Sequence, residues 1–167
     1  DEKMPEEGGT KELSNILVDS VRHHLISDVP LGAFLSGGID SAIIVGAIRK
    51  VHPTGELKTF TIGSKEINEF AEAKEQADAL RTTHTEILLD PDEYFASLKK
   101  IAWHFDEPVA DPSAIALYFL AREASKQVKV VLSGEGADEL FGGYGIYREP
   151  FSLAKSNRVP KILRAII

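Results

Sequence analysis

Phe34-Leu35-Ser36-Gly37-Gly38-Ile39-Asp40-Ser41 reads as the end of an apolar strand, a glycine pair, and then an acid and a hydroxyl opening a helix. Glycine lets a backbone turn sharply and approach a ligand closely, and the first turn of a helix offers free N–H groups at the positive end of its dipole. The stretch therefore predicts an anion cradle suited to phosphate. It lacks the lysine of a G-x-x-x-x-G-K-[ST] loop, so Asp40 points to a magnesium ion as the source of positive charge. A glycine pair after a strand is often only a turn, and the weight of this reading comes from a second loop downstream.

Working outward, residues 1 to 9 are charged and end in Gly8-Gly9, which reads as a flexible leader or linker. From Thr10, an expected N-cap, Leu13, Leu17, Val21 and Leu25 recur every four residues beside Ile16 and predict an amphipathic helix ended by Pro30 and Gly32. A short strand is expected at 33–35 and a helix at 40–50, apolar enough at Ile43, Ile44, Val45 and Ile48 to require a sheet beneath it. The pattern repeats with a strand at 57–62 and a helix carrying Phe70, Ala73, Ala77 and Leu80. A third strand at 85–89 leads to a helix capped by Asp90-Pro91, with Tyr94, Leu98, Ile101 and Phe105 on its apolar face. A helix at 113–125 precedes a last strand at 128–132, read as a buried interior strand, which runs into Ser133-Gly134-Glu135-Gly136-Ala137-Asp138-Glu139.

This alternation predicts an α/β domain over 10–150, with a mainly parallel sheet, right-handed crossovers and helices on both faces. Ligands of such sheets bind beyond the carboxyl ends of the strands, where the strand order reverses. If the first and fourth strands are neighbours there, residues 36 to 41 and 133 to 138 converge on one crevice.

Composition narrows the function classes. The chain has 167 residues, 43% of them hydrophobic, which suffices for one core. A formal charge of −7 argues against a nucleic-acid partner, which would demand a basic stripe. There is no cysteine, which excludes disulfides, thiolate zinc sites and cysteine nucleophiles within the chain. No apolar run is long enough for a membrane span and the acidic start is unlike a signal peptide, so a cytoplasmic protein is expected.

The run from Ser36 to Ser41 resembles the pyrophosphate-binding loop of the PP-loop ATP pyrophosphatases. The second loop, continuing through Leu140-Phe141-Gly142-Gly143-Tyr144, is similar to the signature of glutamine-hydrolysing asparagine synthetases. Ser27-Asp28-Val29-Pro30-Leu31-Gly32, Phe60-Thr61-Ile62-Gly63 and Asp106-Glu107-Pro108-Val109-Ala110-Asp111-Pro112-Ser113 agree, and the resemblance spans about residues 12 to 150. It implies an α/β fold of the adenine nucleotide α-hydrolase kind. The activity it implies is adenylation of an aspartate side-chain carboxylate by ATP, release of pyrophosphate, and attack by ammonia to give asparagine and AMP. In that scheme Ser36, Gly37, Gly38 and Ser41 hold the β and γ phosphates. Asp40 and Asp138 bind magnesium, while Phe34, Leu35, Ile62, Ser133 and Gly134 surround the adenosine. Glu135 stands by the acyl-adenylate as the catalytic acid or base. Asp106, Glu107 and Asp111 have two readings, as stabilisers of a loop around Pro108 and Pro112 or as substrate contacts, with Asp111 the candidate.

The family supplies a lysine opposite the α phosphate. No lysine here matches it, and the family's position lies further downstream. Its members also carry an N-terminal glutaminase whose first residue is a cysteine. The expectation is therefore a fragment of a synthetase domain that binds ATP without completing the reaction alone, with ammonia coming from glutamine on the absent part. Residues 150–167, with Ile162, Leu163 and Ile166, are expected to begin a further helical part whose apolar face favours association, a homodimer included.

Other positions depart from the pattern. Arg81 stands where glycine would ease a left-handed helix end, so a local change of that turn is expected. Ala42 replaces a second serine and Ser64 a common aromatic, which leaves the acid that is adenylated less constrained than the use of ATP. Another amide-forming ligase of the group, such as a β-lactam synthetase or a polysaccharide-cluster amidotransferase, is the nearest alternative. A tRNA-modifying PP-loop enzyme would want a basic face and cysteines, and a non-catalytic nucleotide-binding module is the alternative of a different class. His23, His24, His52, His84 and His104 show no metal-ligand spacing, and Tyr94, Phe95, Trp103 and Phe105 are expected in the core.

Overall fold

In the computed structural model, residues 6–107 and 111–148 are described. The elements in order are α1 (Glu6–His24), β1 (Leu31–Phe34), α2 (Ile39–Val51), β2 (Lys58–Gly63), α3 (Phe70–Ala79), β3 (Thr83–Leu88), α4 (Pro91–Phe105), α5 (Pro112–Ala124), β4 (Val130–Leu132) and α6 (Ala137–Phe141), then a 3₁₀ turn, Gly145–Arg148. The chain divides into two compact units, Asp1–Gly134 and Glu135–Ile167, where the sequence predicts one domain over 10–150.

In the first unit every strand pair is parallel, and the sheet order is β3-β2-β1-β4. Helical crossovers between successive strands explain this, since parallel neighbours need long connections. Gly32 pairs with Lys58 on one side and with Val131 on the other, so β1 is central, and the order reverses between β1 and β4 as expected.

Side chains alternate across the pleat and build two cores. On one face Ala33 and Leu35 pack with Val21 of α1, Val45, Ala47 and Ile48 of α2, and Ala77 of α3. On the other, Phe60 packs with Leu120 and Ala124 of α5 and with Val128, flanked by Phe34, Ile62, Ile87 and Val131. Helices thus cover both faces.

Four local expectations are corrected. Helix α1 is already formed at Glu6 and runs through Gly8-Gly9, which the sequence assigns to a leader. Glycine lowers helix propensity by only about 1 kcal/mol per residue, which the cooperativity of an established helix can absorb. Strand β4 is a three-residue edge strand among the described residues, with Val130 exposed rather than interior. On α4 only Ile101 is buried, while Phe95 and Trp103 are 68% and 76% exposed. That helix packs on α5 rather than on the sheet, so its broad apolar face is mostly uncovered among the described residues.

Arg81, finally, takes the left-handed conformation itself (φ 55), so the α3–β3 turn keeps the hand that glycine would favour. Arg49 holds that turn: its Nε donates to the Leu80 carbonyl at 2.8 Å, and its other nitrogens donate to the carbonyls of Arg81 and Gly55. The expected helix over 150–167 lies outside the described residues, as do Pro108, Val109 and Ala110.

Candidate functional site

The loop after β1 is braced by its own hydroxyls. Ser41 Oγ accepts from the Ser36 N–H at 3.0 Å and donates to the Gly38 carbonyl at 3.1 Å. Ser36 Oγ lies 3.0 Å from Ser41 Oγ and accepts from the Gly38 N–H at 3.1 Å. Ser41 is buried, so its hydroxyl serves the loop's shape in this structure. Gly38 is the N-cap of α2, extended (φ −77, ψ 155), and no side chain caps the helix. The N–H groups of the first turn, at Ile39, Asp40 and Ser41, have no intrahelical acceptor by geometry and present an anion-binding end. Asp40, half-buried, stands in that turn.

Glycine is required here for space more than for an unusual φ. A Cβ on Gly37 would come within 2.8 Å of Glu72 Cβ. The Gly37 N–H donates to Glu69 Oε2 at 2.8 Å, so a carboxylate already stands where the loop offers a backbone donor to an anion. Its carbonyl accepts from Gln76 Nε2, also at 2.8 Å.

The Ser133-Gly134 start of the second loop meets the first loop. A Cβ on Gly134 would lie 3.0 Å from both the Asp40 carbonyl carbon and the Ser41 nitrogen, closer than ordinary packing tolerates. Gly134 therefore passes directly over the N-terminus of α2, and Ser133-Gly134 and Ser36–Ser41 form one crevice beside the strand reversal. Of the expected adenosine contacts, Phe34 and Ile62 are half-buried against the second core. Leu35 is 1% exposed and its side chain belongs to the first core, which leaves only its backbone for a ligand.

In the second unit Glu135 is exposed, and α6 is bracketed by Gly136 and Gly142, both at positive φ (90 and 70). Asp138 lies in its first turn, and its carboxylate sits so close to Gly143 that any Cβ there would collide with it. The Tyr144 hydroxyl donates to Glu139 Oε1 at 2.7 Å, which pushes Tyr144 up to about 12 and holds Glu139 below the usual carboxylate range. Glu139 thus has a side-chain partner of its own.

Asp111 caps α5, accepting from the Ser113 N–H at 2.9 Å, and that bond lowers its pKa. Asp106 ends α4 in the left-handed conformation. Both acids thus have structural roles. Among the described residues no three His, Cys, Asp or Glu side chains gather closely enough to hold a metal ion by themselves. The hard oxygen of Asp40 fits magnesium only if phosphate oxygens complete the shell, as is usual for that ion.

The sequence reading missed Glu69 and Gln76. Their spacing of seven residues, two helical turns on one face, was the available signal. Neither residue belongs to a glycine-rich loop, so the sequence motifs do not point to them.

A four-stranded parallel sheet with a glycine loop at the β1–β4 reversal defines an α/β fold of the PP-loop kind. Solved structures agree. The fold is similar to NMN synthetase from Francisella tularensis (TM-score 0.56, 21% identity, covering 80% of this chain and 58% of that one). It is also similar to a glutamine-dependent NAD+ synthetase from Acinetobacter baumannii in complex with ADP (TM-score 0.57, 22% identity, 86% of this chain and 29% of that one). Within that fold the family is specific: the asparagine synthase family model matches residues 12–166, and the chain belongs to that family. It is 52% identical over 159 residues to asparagine synthetase [glutamine-hydrolyzing] 1 of Bacillus subtilis (strain 168), covering 94% of this chain and 25% of that protein. It is 35% identical over 148 residues to asparagine synthetase B [glutamine-hydrolyzing] of Escherichia coli (strain K12), covering 80% and 27%. The chain thus spans about a quarter of the length of these relatives. No helix among the described residues is long and apolar enough to cross a membrane.

Proposed function

We propose that the chain is the nucleotide-binding part of the synthetase domain of a cytoplasmic, glutamine-dependent asparagine synthetase. The observation that carries this is the seating of Gly134 on the backbone of Asp40 and Ser41, which brings the Ser133-Gly134 start of the second signature onto the helix terminus that closes the first. The family match and the curated relatives support it.

In this reading ATP is the substrate whose β and γ phosphates lie against the Gly37-Gly38 loop and meet the free N–H groups of the α2 terminus, with Ser36 and Ser41 shaping the loop. Asp40 and Asp138 would hold magnesium, which neutralises phosphate charge when bound. The adenosine lies near Phe34, Ile62 and the backbone of Leu35, Ser133 and Gly134. A side-chain carboxylate oxygen of aspartate attacks the α-phosphorus, the α–β bridge breaks, and pyrophosphate leaves. Ammonia then attacks the acyl carbon, the carbon–oxygen bond to AMP breaks, and Glu135 takes the surplus proton. Asp111 is the candidate contact to the acid. The ammonia comes from glutamine on a separate glutaminase domain, and a homodimer belongs to the same reading.

Calorimetric titration with ATP and magnesium tests the cradle. Asp40→Ala is expected to weaken nucleotide binding about tenfold or more, the scale of one lost charge-assisted contact. Identical binding by parent and variant would make the loop structural only. Pyrophosphate release by the full-length protein across a panel of acids tests the substrate: a signal with another acid and none with aspartate points to a different amide ligase of the group. The departures at Ala42 and Ser64 are what keep that second reading open.

A further inference from the structure

We propose that Glu69 and Gln76 form a clamp through which α3 fixes Gly37, making both of them positioning residues for the phosphates of the bound nucleotide; the functional part of this rests on the ATP reading above. Glu69 accepts the Gly37 N–H and Gln76 donates to the Gly37 carbonyl, each at 2.8 Å. One helix therefore holds the two peptide planes on either side of a single loop residue. Gly37 lies flat on that helix, for a Cβ there would come within 2.8 Å of Glu72 Cβ and 3.3 Å of Glu69 Cβ.

The clamp is itself anchored. Ala73 and Ala77, one and two turns beyond Glu69, are fully buried beneath α3. Ahead of Glu69 the chain is locked by a tight turn, in which the Ser64 N–H donates to the Ile67 carbonyl at 2.8 Å and Asn68 Nδ2 to the Ser64 carbonyl at 2.8 Å. Gln76 Oε1 is buried with no partner, a costly arrangement that fits a side chain oriented for its donor.

The consequence for binding follows from the loop's chemistry. Rotation of the Gly37 peptide would swing Gly38 and the first-turn N–H groups of α2 away from a common point. The Gly37 N–H is occupied by Glu69 and the Gly38 N–H by Ser36 Oγ, so the phosphate contacts fall on the first-turn N–H groups of the helix terminus. The carboxylate's negative charge opposes phosphate while its hydrogen bond shapes the loop. Glu69→Gln, which keeps an acceptor and removes the charge, separates these two effects, and Glu69 is exposed enough for substitution to leave the fold intact.

The test is calorimetric binding of inorganic pyrophosphate with magnesium to the 167-residue chain, with amide hydrogen exchange at Gly37 measured in parallel. Glu69→Ala and Gln76→Leu should bind about tenfold more weakly, while Glu69→Gln binds at least as tightly as the parent. Gly37 exchange should accelerate about tenfold in Glu69→Ala and stay slow in Glu69→Gln, at unchanged melting temperature. Tighter binding by Glu69→Ala would show a mere competitor for the anion site and overturn the proposal. So would unchanged affinity and exchange in that variant. A parent that binds no pyrophosphate would sink the ATP reading instead, and Gly37 exchange would then decide the clamp alone: equal rates in parent and Glu69→Ala reject it.

Discussion

At the scale of single residues, space decides more than backbone freedom. Gly134 has the backbone of Asp40 and Ser41 3.0 Å from where a Cβ would be. Gly134→Ala must therefore push the β4 loop off α2, an overpacking change of about 1–3 kcal/mol. The expected outcome is a lower thermal midpoint together with a loss of ATP affinity larger than the lost stability explains. Retained affinity would mean the crevice does not need this approach. The glycines themselves were legible in the sequence, but their reason was not. The sequence predicts a sharp turn at Gly37 and Gly38, whereas neither takes a positive φ and Gly37 is small because α3 lies against it. The motif sets Leu35 beside the adenosine, yet the alternation that continues from β1 sends its side chain into the core.

At the scale of elements, β2 and β3 carry a buried polar group beneath α3. Thr59 Oγ1 lies 2.7 Å from Thr82 Oγ1 and 2.9 Å from His84 Nδ1, while His84 Nε2 is buried without a partner. Burial lowers the His84 pKa from 6.5, helped by Lys74 and opposed by Glu86 and Asp78. The unfolded chain then binds this proton more readily than the folded one, so the neutral ring's contribution is present above pH 6.5 and fades as the pH falls below it. Thermal midpoints at about pH 7.5 and 5.5 should therefore differ more for the parent than for His84→Gln, and equal differences would count against His84 as the source. Nothing in the sequence marked His84, because its neighbours come from β2 and from the turn before β3. Helix α4 shows the opposite failure: its aromatic face was plain in the sequence, but periodicity says which side is apolar and not whether a partner covers it.

For the molecule as a whole, the first unit's stability rests on two cores sharing one sheet, and Phe60 is the residue that couples them. Its ring fills the core under α5, while its carbonyl accepts the Leu35 N–H at 2.9 Å just before the cradle. Phe60→Ala should destabilise by about 3–5 kcal/mol, a large share of a typical domain's stability, and nucleotide binding should be lost in the same urea transition as helical signal. Separate transitions would show that the cradle folds independently of that core. The parallel topology and the β1–β4 reversal were readable in advance because alternating elements and crossover handedness leave few arrangements. The division at Gly134 was not, since it follows from which parts pack together, and no composition change marks it.

The pairing of Leu31 with Val130 joins segments about a hundred residues apart. A chain emerging from the ribosome carries its first glycine loop long before the strand that completes the crevice exists, and closing so long a loop is slow. Nascent chains halted before β4 should therefore bind no nucleotide, however complete their first three strands, so that competence arrives only once β4 has been synthesised and paired.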